Sequence, residues 1–154
     1  MTHRTFTIIK PNAVGAGNAG KILAHIEQGG FRIIALKMVF LSRSDAEKFY
    51  HVHKGKYFFR KLCTFMTSGA IVTAVLEKDN AVAEFRRFIG ATNPAEAAEG
   101  SIRRLYGDSK TRNAIHASDS DDNAAWEVSF FFTDREMIEA DYFIPVPLEE
   151  IDKD

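Results

Sequence analysis

The sequence predicts an α+β fold: a ferredoxin-like split βαβ sandwich with a four-stranded antiparallel sheet and inserted helices. Three observations carry this expectation. Strand-like and helix-like segments alternate along the chain, an extra helical pair falls between the second and third strands, and no repeat, linker or low-complexity tract interrupts them. With 154 residues, 45% hydrophobic and 27% charged, the chain has material for one domain over 1–154 with a real core.

Each element has its own signal. Thr5 to Lys10 is β-branched and aromatic, as strands prefer, and Pro11 stops the ladder because it has no N–H to give. Gly15 to Gly20 reads as a loop. Ile22, Leu23 and Ile26 then recur at helical spacing up to Gln28, and Gly29-Gly30 ends that helix. Phe31 to Leu41 is a second strand. Ser44 to Glu47 fits a capping box that opens a helix reaching about His53, and the aromatic-rich Tyr57 to Met66 continues helical. Ala70 to Leu76 reads as a third strand. Asn80 caps a helix with Val82, Phe85 and Ile89 on one face, broken by Gly90 and Asn93-Pro94. Residues 94 to 125 look irregular, Trp126 to Phe132 reads as the fourth strand, and the tail after Tyr142 carries Pro145 and Pro147.

Composition narrows the function. Lys plus Arg is 20, Asp plus Glu is 21, and the net charge is -1, so the chain is not built to coat nucleic acid or an acidic membrane. An anion site must come from a few cations converging locally. Cys63 is alone, which excludes an internal disulfide and a cysteine-based zinc site. No stretch approaches the roughly 18 apolar residues that span a bilayer, and no signal-peptide core precedes the first strand, so a cytoplasmic protein is expected.

Gly15-Ala16-Gly17-Asn18-Ala19-Gly20 matches the dinucleotide pattern G-x-G-x-x-G after a strand and before a helix, and extended to Lys21 it nearly makes a P-loop. Ile22 stands where a P-loop needs a hydroxyl for Mg²⁺, and Pro11-Asn12 lengthen a turn that must be tight. The economical reading is a glycine turn.

The segment from Asn113 to Ser120 is richer in chemistry. It places a histidine, two hydroxyls, an amide and a carboxylate within eight residues. Imidazole is a competent nucleophile near neutrality, provided that one ring nitrogen is held and the other left free. Ser118 and Glu127 are candidates to hold the His116 ring, as the orienting members of a nucleophile chain. Ser118 to Ser120 also suits a helix cap, with Asp121 and Asp122 in the first turn, where the helix dipole favours anions.

Residues 113–120 fit Asn-x-x-His-[Gly/Ala]-Ser-Asp-[Gly/Ser/Ala], which resembles the active-site signature of nucleoside diphosphate kinases. Three further segments are similar to that family in order and without a gap. They are Thr5 to Val14, the clamp-like Phe49 to Phe59, and Phe88 to Pro94 followed by Gly100-Ser101-Ile102-Arg103. The resemblance covers roughly residues 3–140. It implies ping-pong transfer of the γ-phosphoryl of ATP or another nucleoside triphosphate to a nucleoside diphosphate, through Nδ1 of His116. Mg²⁺ would ride on the phosphates, with no ligand from protein side chains. Position by position, it implies Lys10 and Asn113 at the ribose 3′-hydroxyl, Lys10 also near the γ-phosphate, and Tyr50 beside the histidine. His53, Arg86, Thr92 and Arg103 would hold the α- and β-phosphates. Phe58 would stack on the base with Leu62 beneath it, and Ser118 and Glu127 would orient the ring. It also implies a homo-oligomer, a hexamer or a tetramer built from dimers, with residues 94–115 meeting neighbours, and no membrane or specific nucleic-acid partner. The residue types suit this chemistry, since phosphoryl transfer asks for positioning and charge neutralisation and guanidinium pairs well with phosphate. Four positions depart from the family's habit: Asn12 for Asp, Tyr57 for Pro, Lys110 for an apolar residue near the base, and Ala117 for Gly.

Overall fold

The computed structural model describes residues 3–138 and 147–151. Its sheet runs in the order β2-β3-β1-β4, from β1 (Arg4–Ile9), β2 (Arg32–Val39), β3 (Ile71–Glu77) and β4 (Ile115–Ala117). Every neighbour pair is antiparallel, with β3 lying between β1 and β2, which is the split βαβ arrangement the sequence predicts. The β2–β3 ladder slips between Ile33 and Ala35, a bulge in the outer strand.

Helices cover both faces. α1 (Pro11–Gly15) starts on Pro11, whose fixed φ suits a first helical turn, so the proline that ends β1 also opens a helix, and the loop expected over Gly15–Gly20 narrows to residues 16–18. Gly17, at φ 78°, makes the turn into α2 (Ala19–Gln28). α3 (Arg43–Phe49) begins two residues earlier than the sequence suggests. Ser42, not Ser44, is its cap, accepting from the Asp45 amide at 3.0 Å. A 3₁₀ turn (His51–His53) and α4 (Phe59–Met66) complete the inserted pair, and α5 (Ala81–Ile89) follows β3. Asn80 sits at the N-cap of α5 with φ 53° and no side-chain cap bond.

The stretch 94–125 is more ordered than its sequence suggests. It holds a 3₁₀ turn at Pro94–Glu96, α6 (Ile102–Tyr106), strand β4 and the start of α7 (Asp121–Phe131). The expected fourth strand over Trp126–Phe132 is therefore helix, and the true fourth strand is three residues long. Ser120 caps α7 by accepting from the Asn123 amide at 3.1 Å, with Asp121 and Asp122 in the first turn. The helix lies on β1, where Phe131 stacks on Phe6 at 5.2 Å. The part of the tail over 139–146 lies outside the described residues. Among the described residues, no helix is long and apolar enough to cross a membrane.

Strand alternation divides the core in two. Phe6, Ile8, Ile71 and Val75 face Phe49, Tyr50, Cys63 and Met66 of the inserted helices. Ile9, Val72, Ala74 and Leu76 face Ile22 and Ile26 of α2 and Phe85 and Ile89 of α5. Ile115 and Ala117 belong to the second layer, so His116 between them points to the first.

Candidate active site

His116 sits opposite Ile8 on the rim of the sheet, its carbonyl taking the Thr7 hydroxyl at 2.7 Å. Its ring is surrounded by Phe6, Phe49 and Tyr50, with centroids 6.1, 5.6 and 6.5 Å away. Nε2 lies 3.0 and 2.8 Å from the two oxygens of Glu127. Ser118, fully buried behind the ring, donates to the same carboxylate at 2.6 Å. A carboxylate only accepts, so Nε2 carries the proton and Nδ1 keeps its lone pair. Glu127 comes from α7 rather than from a strand. On the helix it shares a buried face with Ala124, while Trp126 turns outward at 39% exposure.

Lys10 follows β1 directly and is buried. Its ammonium donates to Asn113 Oδ1 at 2.8 Å, and the Asn113 amide donates to the carbonyls of Thr92 at 3.1 Å and Lys110 at 3.0 Å. Burial, helped by the Arg103 charge, pushes the Lys10 ammonium down to about 7. Ala114, next to Asn113, holds φ 76°, a left-handed angle in a buried alanine that aims Asn113 at Lys10 and feeds the chain into β4. Arg103 donates to Gly90 O at 3.2 Å and Ile115 O at 3.0 Å. Burial first, then Arg86, brings its guanidinium down to about 10, so it stays charged at neutral pH. Lys10 and Arg103 thus converge on one cavity with Arg86 near enough to act on Arg103, the local convergence that net charge -1 requires.

Two adjoining cavities, about 680 and 400 Å³, share Tyr50, His53, Phe58, Thr92 and His116. The first adds Arg86 and Glu127; the second adds Lys10, Leu62, Arg103 and Asn113. Every residue the sequence nominated lines this cleft except Ser118, which lies behind it and donates to Glu127. The Gly15–Gly20 turn lines neither cavity. Burial raises the Tyr50 phenol far above its ordinary range, with Glu127 and Cys63 adding to it, so it stays protonated as a potential donor. Burial and the nearby Lys56 lower His53, which favours its neutral ring. Ala117 is part of β4 and needs no left-handed angle, so the alanine fits without strain.

The cleft wall also includes Asp119, Asn123 and Trp126, which the sequence reading did not nominate. Asp119 is held below the usual carboxylate range, first by its hydrogen bond from Asn123 and also by Arg86. Its place in the histidine motif was the available signal. For Trp126 the signal was hidden by assigning its segment to a strand. Asn12, at a departure from the family pattern, donates to Asp108 Oδ2 and Arg112 O at 3.0 Å each, so it ties the loop rather than freeing it.

A family model described as nucleoside diphosphate kinase matches residues 3–137. The chain belongs to the nucleoside diphosphate kinase family. A nucleoside diphosphate kinase of Flavobacterium psychrophilum is 53% identical over 136 residues, covering 88% of this chain and 98% of the relative. One from Chlorobium chlorochromatii is 52% identical over 135 residues, covering 88% and 96%. Among solved structures, the nucleoside diphosphate kinase of Aquifex aeolicus aligns with TM-score 0.87 at 45% identity, over 88% of this chain and 99% of that one. The Halobacterium salinarum nucleoside diphosphate kinase in complex with CDP aligns at 0.86 and 34% identity, over 92% and 94%. The sheet order and helix placement described above are accordingly those of a nucleoside diphosphate kinase.

Proposed function

We propose that the chain, acting as a single domain, moves the γ-phosphoryl group of a nucleoside triphosphate to a nucleoside diphosphate through a phosphohistidine on His116. The observation that carries this reading is the Glu127–Nε2 contact, which leaves Nδ1 as the free nucleophilic nitrogen in a cleft lined by buried Lys10, half-buried Arg103 and exposed Arg86. In the first half-reaction Nδ1 attacks the γ-phosphorus, and the bond to the β,γ-bridging oxygen breaks. The diphosphate leaves with that electron pair. In the second, a terminal oxygen of another diphosphate attacks the same phosphorus, and the P–N bond returns its pair to Nδ1. Glu127 stabilises the positive ring while the phosphate is attached, and Ser118 keeps the carboxylate aimed.

The remaining roles follow the chemistry of the lining. Arg86, Arg103, Thr92 and His53 grip the α- and β-phosphates. Lys10 and Asn113 meet the ribose 3′-hydroxyl, with Lys10 also reaching the γ-phosphate, and Tyr50 packs beside the reacting ring. Phe58 gives the base a stacking face with Leu62 beneath. Mg²⁺ would enter this cleft on the phosphates of the substrate. The donors here are mainly cationic, and among the described residues no three His, Cys, Asp or Glu side chains converge on a metal position. Carried on phosphate oxygens, the ion would neutralise charge during transfer.

The reading extends to assembly and place of action. An outer strand with exposed Leu36, Met38 and Phe40 supports a homo-oligomer, a hexamer or a tetramer of dimers, with 94–115 as a further contact. The nucleotide substrates support action in the cytoplasm.

Incubation with γ-labelled ATP and Mg²⁺, followed by removal of nucleotide, tests the central claim. Acid-labile, base-stable label that a diphosphate discharges is the expected result. Equal label on His116→Ala, or label that no diphosphate removes, defeats it.

A further inference from the structure

We infer that Lys37 is a positioning residue for this reaction: from the outer strand β2 it fixes the C-terminal end of α7, and so holds Glu127 against the His116 ring. The inference rests on the phosphotransfer reading above and adds to it a residue outside the cleft. α7 has little buried side-chain surface to lock its place. Its buried residues are Ala124 and Glu127, while Val128, Phe130 and Phe131 are only partly covered. Half-covered rings resist sliding less than an interdigitated core does. Glu127 tolerates little sliding. Its carboxylate lies 3.0 and 2.8 Å from His116 Nε2 and takes the Ser118 hydroxyl at 2.6 Å, so a shift of about 1 Å along the helix axis breaks these contacts together.

Both ends of α7 are tied by polar groups instead. Ser120 caps the first turn. At the other end the Lys37 ammonium donates to the Phe131 carbonyl at 2.7 Å, one of the last carbonyls that no helical N–H can reach. A cation there also meets the negative end of the helix dipole. The same ammonium pairs with Glu136 and lies 4.8 Å from the centroid of the Phe132 ring. Glu136 is held in turn by the Thr133 amide at 2.9 Å and its hydroxyl at 3.1 Å. The anchor is fixed at its base, because Lys37 sits opposite Thr73 in the β2–β3 ladder and takes the Thr73 hydroxyl on its carbonyl at 3.1 Å. Phe131, the residue gripped, is one helical turn beyond Glu127. Its ring stacks on Phe6, whose centroid is 6.1 Å from that of His116.

The test pairs rapid-quench labelling with NMR of the His116 ring. Lys37→Met keeps most of the stem and removes the ammonium. It is expected to slow phosphoenzyme formation roughly tenfold, short of the ~10²-fold that a 1 Å misplacement can cost, with nucleotide KM unchanged. Lys37→Arg, which keeps a donor, restores the rate. Glu127→Ala removes the group being held, so adding Lys37→Met to it slows the reaction no further. In the NMR arm the Nε2–H resonance of His116 moves in Lys37→Met and returns in Lys37→Arg. Glu136→Gln, which weakens the same grip from the surface, moves it in the same direction by less. An unchanged rate in Lys37→Met, an equal slowing in the Glu127→Ala background, or a ring resonance that moves in neither single variant overturns the inference. So does a KM that rises as the rate falls, the mark of a cleft loosened in general. No label on the wild-type protein overturns the kinase reading, and the ring resonance then decides this one by itself.

Discussion

Glu127 accepts from both the His116 ring and the Ser118 hydroxyl, and its charge is what distinguishes it from an amide of the same shape. A glutamine there still offers an oxygen to Nε2 and an N–H to Ser118, so the ring keeps its tautomer and loses only its counter-charge. Glu127→Gln is expected to slow phosphoenzyme formation by roughly 10- to 100-fold, the range for losing a charged hydrogen-bond partner, as read by rapid-quench labelling. Lys10 gives a prediction in pH. Its pKa of about 7 in the free protein means the cation is lost as pH rises through that value, so kcat/KM falls there. In Lys10→Gln that limb is absent. The sign for stability is opposite. The folded pKa lies below the unfolded one, so burying the charge costs stability below pH 7, and the cost disappears as pH climbs toward 10.5. The site was legible at this scale because its residue types are chemically distinctive. Asn113, His116 and Ser118 announce themselves, whereas Trp126 and Asn123 reach the cleft only through the helix that carries them.

Helix α7 explains where the sequence misled. Trp126 to Phe132 is aromatic and β-branched, which reads as strand, yet tertiary packing overrides that preference. The helical signal was present in the Ser120 cap, the acids after it, and Ala124, Glu127, Val128 and Phe131 at spacings of three and four. Glu127 contacts His116, but from a helix and not from the expected strand. Strand β4 was invisible for a simpler reason: three residues are too few to display alternation. The loop 107–113 is held by Asn12, and this sets an element-level prediction. In Asn12→Asp a carboxylate oxygen replaces the donor 3.0 Å from Asp108 Oδ2. The variant should lose about 0.5–1.5 kcal/mol in urea unfolding, and adding Asp108→Asn should recover part of it.

Over the whole molecule, the sheet order followed from the alternation of elements, since a strand–helix–strand unit with a partner strand between its ends has few ways to close. Assembly was not legible in the same way, because exposure of one strand face depends on which strand is outermost. β2 occupies that position, and Leu36 and Met38 on it and Phe40 just after it are 50, 63 and 71% exposed. An apolar outer strand invites pairing with another chain. Light scattering should give a multiple of the 17.3 kDa chain mass, and Phe40→Lys with Met38→Lys should shift it toward smaller species.

His116, the proposed nucleophile, rides on a short marginal strand whose register with β1 rests on three residue pairs, from Thr7↔Ala117 to Ile9↔Ile115. Lys10 stands at the end of β1 and His116 in the middle of β4, so any molecule gripping both becomes a clasp across the seam. Occupancy of the cleft would then slow amide hydrogen exchange at 115–117, and release would let that border breathe again.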